Sequence, residues 1–337
     1  MRLAVVILNW NGETHLKTFL PSVIEHCKGV ARVIVADNKS TDNSLDLLRN
    51  SFPTVEIIEN KENGGFAKGY NDALKKVNAE FYVLLNSDVE VTENWLQPML
   101  RLFDSDKEIG ICQPKLRSYL ERDKFEYAGA AGGFIDFLGY PFCRGRIFQY
   151  VETDEGQYDD TSEIFWASGA AMFIRSTVFH ELGGFDESYF AHMEEIDLCW
   201  RAKNQGYKVY YCSESLVYHL GGGTLHKSSP QKNFLNFRNS LLTLYKNDSS
   251  GFRMMKTLGR LLLDSAAYLK ILSDSGFAHA NSIVRAHFSF YGAKKAKSKK
   301  KLKKISGIYQ GSIVLEHYLS GKKKFSDLKQ NFSKTEQ

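Results

Sequence analysis

Short apolar runs, each closed by a polar turn and followed by a stretch with helical spacing, set the rhythm of the first ninety residues. Leu3 to Leu8 predicts a first strand, with Asn9-Trp10-Asn11-Gly12 as the turn at its carboxyl end. Leu16, Phe19, Leu20, Val23 and Ile24 recur at three-and-four spacing and predict a helix. Arg32-Val33-Ile34-Val35-Ala36 is the second strand, running into Asp37-Asn38-Lys39-Ser40-Thr41-Asp42, where Ser40 or Thr41 can cap the next helix. Val55-Glu56-Ile57-Ile58 is the third, emptying into residues 60 to 69, and a helix over about Tyr70 to Val77 follows. The fourth, Phe81-Tyr82-Val83-Leu84-Leu85, is apolar on both faces and stops at Asn86-Ser87-Asp88. Alternating strands and helices predict an α/β fold with a mostly parallel sheet, flanked by helices through right-handed crossovers. The ends of its strands then carry Asn9, Asp37, Asn63 and Asp88 side by side, as one pocket rim made by four loops.

The second half is less regular. Ile109 to Gln113 reads as a strand, residues 117 to 160 as a long loop or small hairpin, and Phe165 to Ile174 as a strand kept slim by small residues. A short helix ends at Gly183-Gly184. Glu194, Glu195 and Asp197 open the next helix, where acids complement the helix dipole. Val209 to His219 is strand-like, closed by Gly221-Gly222-Gly223-Thr224, and from about Ser229 the pattern turns helical. Met254, Leu258, Leu261, Leu262, Leu269 and Leu272 share one face of a helix over residues 253 to 272. That face either packs on the domain or lies in a membrane interface.

Composition changes this picture little. At 337 residues, 43% hydrophobic and 25% charged, the chain is an ordinary globular one. The net charge of +5 hints at nucleic acid, but eight lysines lie between Lys294 and Lys304, and without them the balance turns negative. Basicity is thus a local property of the tail, and no nucleic-acid partner is expected. Five scattered cysteines without a CxxC pair argue against a disulfide framework or zinc site and for a reducing cytoplasm. No apolar run is long enough to span a bilayer, and the first strand is too short for a signal peptide. No GxGxxG follows the first strand, which disfavours a dehydrogenase.

A carboxylate at the rim of a dry core, as at Asp88, suits a divalent cation and the phosphate oxygens it carries; the plainer role is capping a turn. Asp37 can accept bonds from a base or sugar, or cap its own turn. His219, at a strand end before glycines, is either a borderline metal ligand or a satisfied polar group. Lys68 either offsets phosphate charge or is a solvated surface lysine.

Five motifs stand in order: Val6-Ile7-Leu8-Asn9-Trp10-Asn11, Val35 to Asp42, Asn63-Gly64-Gly65-Phe66-Ala67-Lys68-Gly69-Tyr70-Asn71, Leu84-Leu85-Asn86-Ser87-Asp88 and Glu194 to Arg201. On these the chain resembles the family 2 glycosyltransferases, whose nucleotide-sugar-binding fold is called GT-A, and most closely the rhamnosyltransferase-like branch of bacterial surface-polysaccharide synthesis. The resemblance covers about residues 1 to 245 and leaves 246 to 337 as a helical, lysine-rich extension. It implies that Asp37 and Asn9 hold the nucleotide, with Asn63, Gly64, Lys68 and Ser87 lining the same slot. Asp88 matches the last position of the family's DxD motif, while Asn86 stands where its first aspartate would be. The implied cofactor is a divalent metal, Mn or Mg, on Asp88, His219 and Asn86. The catalytic base maps to Glu195, a glutamate where the family carries aspartate, with Glu194 or Asp197 as alternatives. Glu194, Asp197 and Arg201 are expected to hold acceptor hydroxyls or one another.

The implied reaction is an inverting transfer from a UDP- or dTDP-sugar to a glycan acceptor, lipid-linked and met by peripheral contact at the inner face of the membrane. Two other readings stand beside it: a nucleotide-sugar-binding protein with lost catalysis, and a membrane-surface adaptor using the basic tail.

Overall fold

The computed structural model describes residues 1–221, 229–293 and 305–334. The strand and helix rhythm of the first ninety residues is present: β1 (Leu3–Asn9), α1 (Glu13–Cys27), β2 (Ala31–Asp37), α2 (Ser44–Ser51), β3 (Glu56–Glu59), α3 (Gly65–Leu74) and β4 (Phe81–Asn86). Next come β5 (Val89–Val91), α4 (Gln97–Ser105), β6 (Ile109–Ser118) and the short strands β7 (Gly133–Asp136), β8 (Pro141–Cys143), β9 (Arg146–Ile147), β10 (Tyr150–Val151) and β11 (Thr161–Ile164). The chain continues through β12 (Ala171–Arg175), α5 (Ser176–Glu181), α6 (Glu194–Gln205), β13 (Lys208–His219), α7 (Pro230–Asn247), α8 (Arg253–Ser275), α9 (Phe277–Ala293), β14 (Ile308–Tyr309) and α10 (Ile313–Tyr318).

The main sheet runs in the order β11-β13-β6-β12-β4-β1-β2-β3, with β5 added beside the end of β13. Neighbours among β4, β1, β2 and β3 are parallel, as are β6 and β13; β12, β11 and β5 run against their partners. The two-residue period of a strand splits β1 between two cores. Leu3, Val5 and Ile7 pack with Leu16, Leu20 and Val23 of α1 and with Met99 and Phe103 of α4 on one face. Ala4 and Val6 face a second cluster containing α3, α6 and α7. With both faces covered, the β1 strand has no room for polar residues until it reaches its end at Asn9.

Three expectations are corrected. The helix expected from Tyr70 begins at Gly65, because Asn63 Oδ1 accepts the Gly65 N–H at 3.0 Å and closes the turn there. The strand expected over Phe165 to Ile174 begins only at Ala171; Trp166 to Ala170 instead form a turn tied down by Ser168, whose N–H donates to Gln113 Oε1 at 2.9 Å and whose hydroxyl donates to the Ala128 carbonyl at 2.6 Å. The loop or hairpin expected over residues 117 to 160 contains most of a second sheet, ordered β10-β9-β8-β7-β14.

That second sheet bears on the expected division at residue 245. The boundary falls inside α7, and β14 comes from the C-terminal segment to pair with β7 in parallel. Asp136, at the end of β7, accepts the Ile313 N–H at 2.9 Å, and Phe290, Ile313, Phe325 and Leu328 are buried in the same cluster as Ala4 and Val6. The C-terminal segment, expected as a helical, lysine-rich extension, therefore also contributes to the core. All five cysteines are free and buried. Among the described residues no helix is long and apolar enough to cross a membrane.

Gly65 marks where the architecture is tightest. Its φ is +78°, and a Cβ there would lie 2.5 Å from the Phe190 carbonyl oxygen. Gly65→Ala combines left-handed strain with a clash against backbone, and should lower the unfolding free energy by about 2–4 kcal/mol, measured as a shift in the urea midpoint. A midpoint unchanged from the parent would mean that α3 and the Phe190 segment are not held this close.

Candidate active site

Parallel register brings the strand ends level: Asn9 lies opposite Asp37, and Leu8 opposite Asn86. Asp37, Asn9 and Ser40 form a closed set. Asp37 accepts the Ser40 N–H at 2.8 Å, the Ser40 hydroxyl at 2.6 Å and the Asn9 amide at 3.1 Å. Asp37 is 1% exposed, so the carboxylate expected to face a nucleotide is turned inward and caps its own turn. Asn63 joins the same rim through Asn38, whose amide donates to Asn63 Oδ1 at 3.2 Å and to the Gly65 carbonyl at 3.0 Å. The space beside Gly64 is filled by the Lys68 side chain, and Lys68 Nζ lies 2.5 Å from Asp72. The room left by the glycines is thus taken up by the protein itself, by Lys68 at Gly64 and by Phe190 at Gly65.

His219 reaches the fourth strand end because β13 is bulged. Its register against β6 shifts between Cys212 and Leu216, and the extra residues include Ser215, whose hydroxyl donates to the Trp95 carbonyl at 2.6 Å. The kink a bulge introduces lets the strand continue alongside β5, with His219 opposite Val89 and the Leu220 N–H donating to the Asp88 carbonyl at 3.0 Å. His219 Nε2 then lies 3.2 Å from Asp88 Oδ1 and 3.5 Å from the Asn86 amide nitrogen. On the other side of the ring, Nδ1 lies 3.3 Å from Glu126 Oε1. Burial alone would lower the imidazole pKa, but Asp88 and Glu126 outweigh it and carry it up to about 10. Burial would likewise raise the Asp88 carboxyl, and the imidazolium beside it brings it below the usual carboxylate range. Glu126 was missed by sequence reasoning, since it sits among residues 117 to 160 without a motif or a periodic pattern; only β-sheet packing brings it here.

The donor set limits what could bind. Among the described residues no group of three or more His, Cys, Asp and Glu side chains is arranged to hold a metal ion alone. Asp88 Oδ1 and His219 Nε2 nevertheless lie side by side, 3.2 Å apart, and a half-turn of the Asn86 amide would aim its oxygen toward the same nitrogen. A carboxylate, an imidazole and an amide oxygen suit a divalent cation that completes its shell with phosphate oxygens and water. The residues fit such an ion when it arrives with a diphosphate.

The acidic helix opens from a strained segment. Phe190, His192 and Met193 all have positive φ, at 63°, 68° and 75°. Non-glycine residues in that region cost energy unless their surroundings over-determine them. Here the Asn239 amide of α7 donates to the carbonyls of Tyr189, Ala191 and His192 at 3.1, 3.0 and 2.8 Å, and the Phe66 N–H donates to the Phe190 carbonyl at 2.8 Å. Asn239 is a second residue that no sequence pattern pointed to.

Of the three acids, Asp197 is wholly enclosed. It accepts from Arg201 Nε at 2.7 Å and the Asn247 amide at 2.7 Å, with Lys246 Nζ at 2.9 Å. Arg201 in turn donates to the carbonyls of Leu182 and Gly184, both at 2.8 Å. The Asp197–Arg201 pair therefore anchors α6 to its neighbours. Glu194 and Glu195 differ: each has an Oε2 that is buried without a hydrogen-bond partner among the described residues. Burial, with Glu195 next to it, raises Glu194 well above the usual range; burial raises Glu195 to about 7. Glu195 also keeps partial exposure, as a group open to a substrate must. A Cβ on Gly169 would lie 3.8 Å from Glu195 Cβ, and the next residue, Ala170, accepts the Asn86 N–H at 2.9 Å. The turn from Trp166 to Ala170 thus separates Glu195 from the Asn86-Ser87-Asp88 strand end by its own thickness. Ser87, partly exposed, lies between the two groups on that strand end.

A parallel four-strand core, a strand end with an amide and a carboxylate, and an acid-led helix across one turn define the GT-A class of nucleotide-sugar-dependent transferases. The model of Glycosyl transferase family 2 matches residues 4–183, more than half the chain. The chain belongs to that family and is a glycosyltransferase. It is similar to the rhamnosyltransferase WbbL of Escherichia coli K12, 39% identical over 223 residues covering 61% of this chain and 79% of that one. It is also 25% identical to N-acetylglucosaminyl-diphospho-decaprenol L-rhamnosyltransferase of Mycobacterium tuberculosis, over 66% of this chain and 77% of that one. Among solved structures, GalNAc-T7 with UDP, GalNAc and Mn2+ superposes with a TM-score of 0.55 at 18% identity, over 72% of this chain and 47% of that one. The mannosyltransferase PcManGT of Pyrobaculum calidifontis, with GDP-Man and Mn2+, gives 0.53 at 13% identity, over 88% and 76%. At these identities the solved structures establish the fold.

The raised Glu195 carboxyl ties stability to pH. With a folded value of about 7 against an ordinary 4.5, the folded chain holds more protons than the unfolded one between those limits. This contribution is fully present below the ordinary value and is lost as pH rises through about 7. Glu195→Gln removes the penalty, so the variant should be more stable than the parent at pH 8, by about 1–3 kcal/mol, and no more stable at pH 4. Urea denaturation at both pH values measures the difference; a gap that stays constant with pH would contradict the assignment.

Proposed function

We propose that this glycosyltransferase moves a sugar from a nucleoside diphosphate donor to a glycan hydroxyl with inversion at the anomeric carbon. The observation that carries the reading is Glu195: a buried, unpartnered carboxylate oxygen near neutrality, across a single turn from the Asn86-Ser87-Asp88 strand end. A general base works best with a pKa near the operating pH, and the acceptor proton is what this oxygen lacks. Glu195 accepts that proton as the acceptor oxygen bonds to the anomeric carbon; the bond from that carbon to the phosphate oxygen breaks, and its electron pair leaves with the nucleoside diphosphate. Attack from the Glu195 side and departure toward Asp88 put the two oxygens on opposite faces of the sugar, which inverts the configuration. Glu195 carries one methylene more than the aspartate usual here, and the neighbouring Gly169 leaves room for it.

A divalent cation, Mn2+ or Mg2+, held by Asp88 and His219 with Asn86 beside them, would neutralise charge on the departing diphosphate. That the GalNAc-T7 and PcManGT structures were solved with Mn2+ supports that part of the reading. Glu126 keeps the His219 ring oriented from behind, as carboxylates do for metal-binding histidines. The nucleotide, carried by a UDP- or dTDP-sugar, lies over the turns that Asn9, Asp37 and Asn63 hold in shape, with Gly64, Lys68 and Ser87 at its margin. Glu194, Asp197 and Arg201 set the acceptor side by fixing the first turn of α6. The acceptor is a glycan on a lipid carrier, met at the inner face of the membrane by peripheral contact. The decaprenol diphosphate in the name of the mycobacterial relative supports this.

Purified protein incubated with UDP- and dTDP-sugars, a glycan acceptor and Mn2+ should release nucleoside diphosphate. Glu195→Gln should lower kcat by about 10²–10⁴-fold, the usual worth of a general base, while donor affinity stays within about threefold. Undiminished turnover by that variant removes Glu195 from the role. Donor binding by the parent with no turnover on any acceptor would instead favour a binding protein that has lost catalysis.

A further inference from the structure

Helix α8 is inside out. Its buried positions are Lys256, Arg260 and Asp264, while Met254, Leu258, Leu262 and Leu269 are exposed, Met254 at 79% and Leu262 at 73%. Each of the buried charges has a partner: Lys256 Nζ donates to Asp248 at 3.0 Å, Arg260 to the Ser240 hydroxyl at 2.8 Å, and Asp264 accepts from Tyr140 at 2.6 Å and pairs with His287 at 3.0 Å. This network fixes the helix's rotation, so the apolar stripe is held outward by its partners underneath. Gly276, with φ +85°, turns the chain into α9, which adds Phe277, Val284 and Phe288, the last 76% exposed. Between the helices lies a groove of about 520 Å3 walled by Leu261, Leu269, Ile283, Val284 and Phe288. Contiguous apolar surface of this extent costs free energy in water and marks an interaction face.

We infer that the α8–α9 face docks on a bilayer surface rich in anionic lipid, with the leucine and phenylalanine side chains among the acyl chains and the helices lying in the interface. Charge decides between occupants. Arg285 is exposed beside Val284, and the sequence places eight lysines between Lys294 and Lys304, directly after α9; Lys270, beside Leu269, is paired with Asp274 at 2.8 Å and adds nothing to that balance. An anionic leaflet attracts so basic a stretch of sequence next to an apolar face, whereas a second copy of the chain would bring a second set of like charges to the contact. Burying several large apolar side chains while lysines reach the headgroups is how interfacial helices bind. α8 has 23 residues, about 35 Å of helix, and the described helices are not apolar enough to cross a membrane, so the contact is peripheral. The inference rests on the peripheral contact proposed above, gives it a surface, and is read by lipid binding alone, so the failure of sugar transfer is a separate result.

The test is flotation of the full chain with vesicles of phosphatidylcholine alone and of phosphatidylcholine mixed with phosphatidylglycerol, at low and at high salt. The parent should partition into mixed vesicles at least about tenfold better than into neutral ones, with the advantage shrinking at high salt. Leu262→Glu with Phe288→Glu should reduce that partitioning by about tenfold or more. Both positions are exposed, so circular dichroism and the melting curve should match the parent; Leu262→Ser with Phe288→Ser serves if the charged pair is perturbed. Equal flotation of parent and variants, or no flotation of the parent, overturns the inference. A parent dimer in sedimentation that the substitutions dissociate, with lipid binding unchanged, overturns it too and gives the face to a second copy.

Discussion

The strained backbone from Phe190 to Met193, held by one amide, is the constraint on which the site depends. Three non-glycine residues in the left-handed region do not persist unaided, and Asn239 of α7 meets the carbonyls of Tyr189, Ala191 and His192 in and beside that segment. From the other side the Phe66 N–H holds Phe190, and Gly65 is the only residue type that fits beneath it. The segment delivers Glu194 and Glu195 as the first residues of α6, with the Glu195 side chain starting next to the Gly169 turn. Asp197, Arg201, Lys246 and Asn247 hold the same helix at its next turn. Energy stored in the backbone is thus offset by hydrogen bonds, and what is gained is position.

The two sides of the site have opposite electrostatic character. At Asp88, a histidine sits between two carboxylates, and every charge has an opposite within about ion-pair reach. At Glu195, two neighbouring carboxyls are buried with oxygens left unpaired, so protons are held to near neutrality. The first arrangement holds its charges as an ion pair, in which the His219 ring can act as a ligand only after giving up its Nε2 proton. The second leaves a carboxyl oxygen on each glutamate without a hydrogen-bond partner among the described residues. A single turn, tied by Ser168 to Gln113 and Ala128, keeps them apart and in register.

The C-terminal segment has two unlike sides. Its inner side completes the core and the small sheet through Phe290, β14 and Ile313. Its outer side displays the leucines and phenylalanines that an ordinary amphipathic helix would bury. Reading the periodicity of residues 253 to 272 identifies a two-faced helix correctly, but periodicity carries no sign: it says that the faces differ, never which one points inward. Here the buried ion pairs of Lys256, Arg260 and Asp264 reverse the usual answer.

How much of this was legible depends on how local its cause is. The parallel strands, the carboxyl-end rim and the acid-led helix follow from patterns a few residues long, because period two, period 3.6 and turn chemistry act along the chain. Asn9, Asp37, Asn86, Asp88 and Glu195 stand out for the same reason, each at the end of such a run. What Asp37 does with its oxygens, the reach of His219 through a bulge, and the partnership of Glu126 with that ring were settled only by packing. Residues 126 and 219, or 190 and 239, lie far apart in sequence, and no local preference registers a neighbour that distant. The sequence by itself therefore determined which chemical groups stand at the strand ends. The tertiary structure alone decided which of them turn inward, which pair, and which are left free to react, since burial and partnership are properties of the folded neighbourhood.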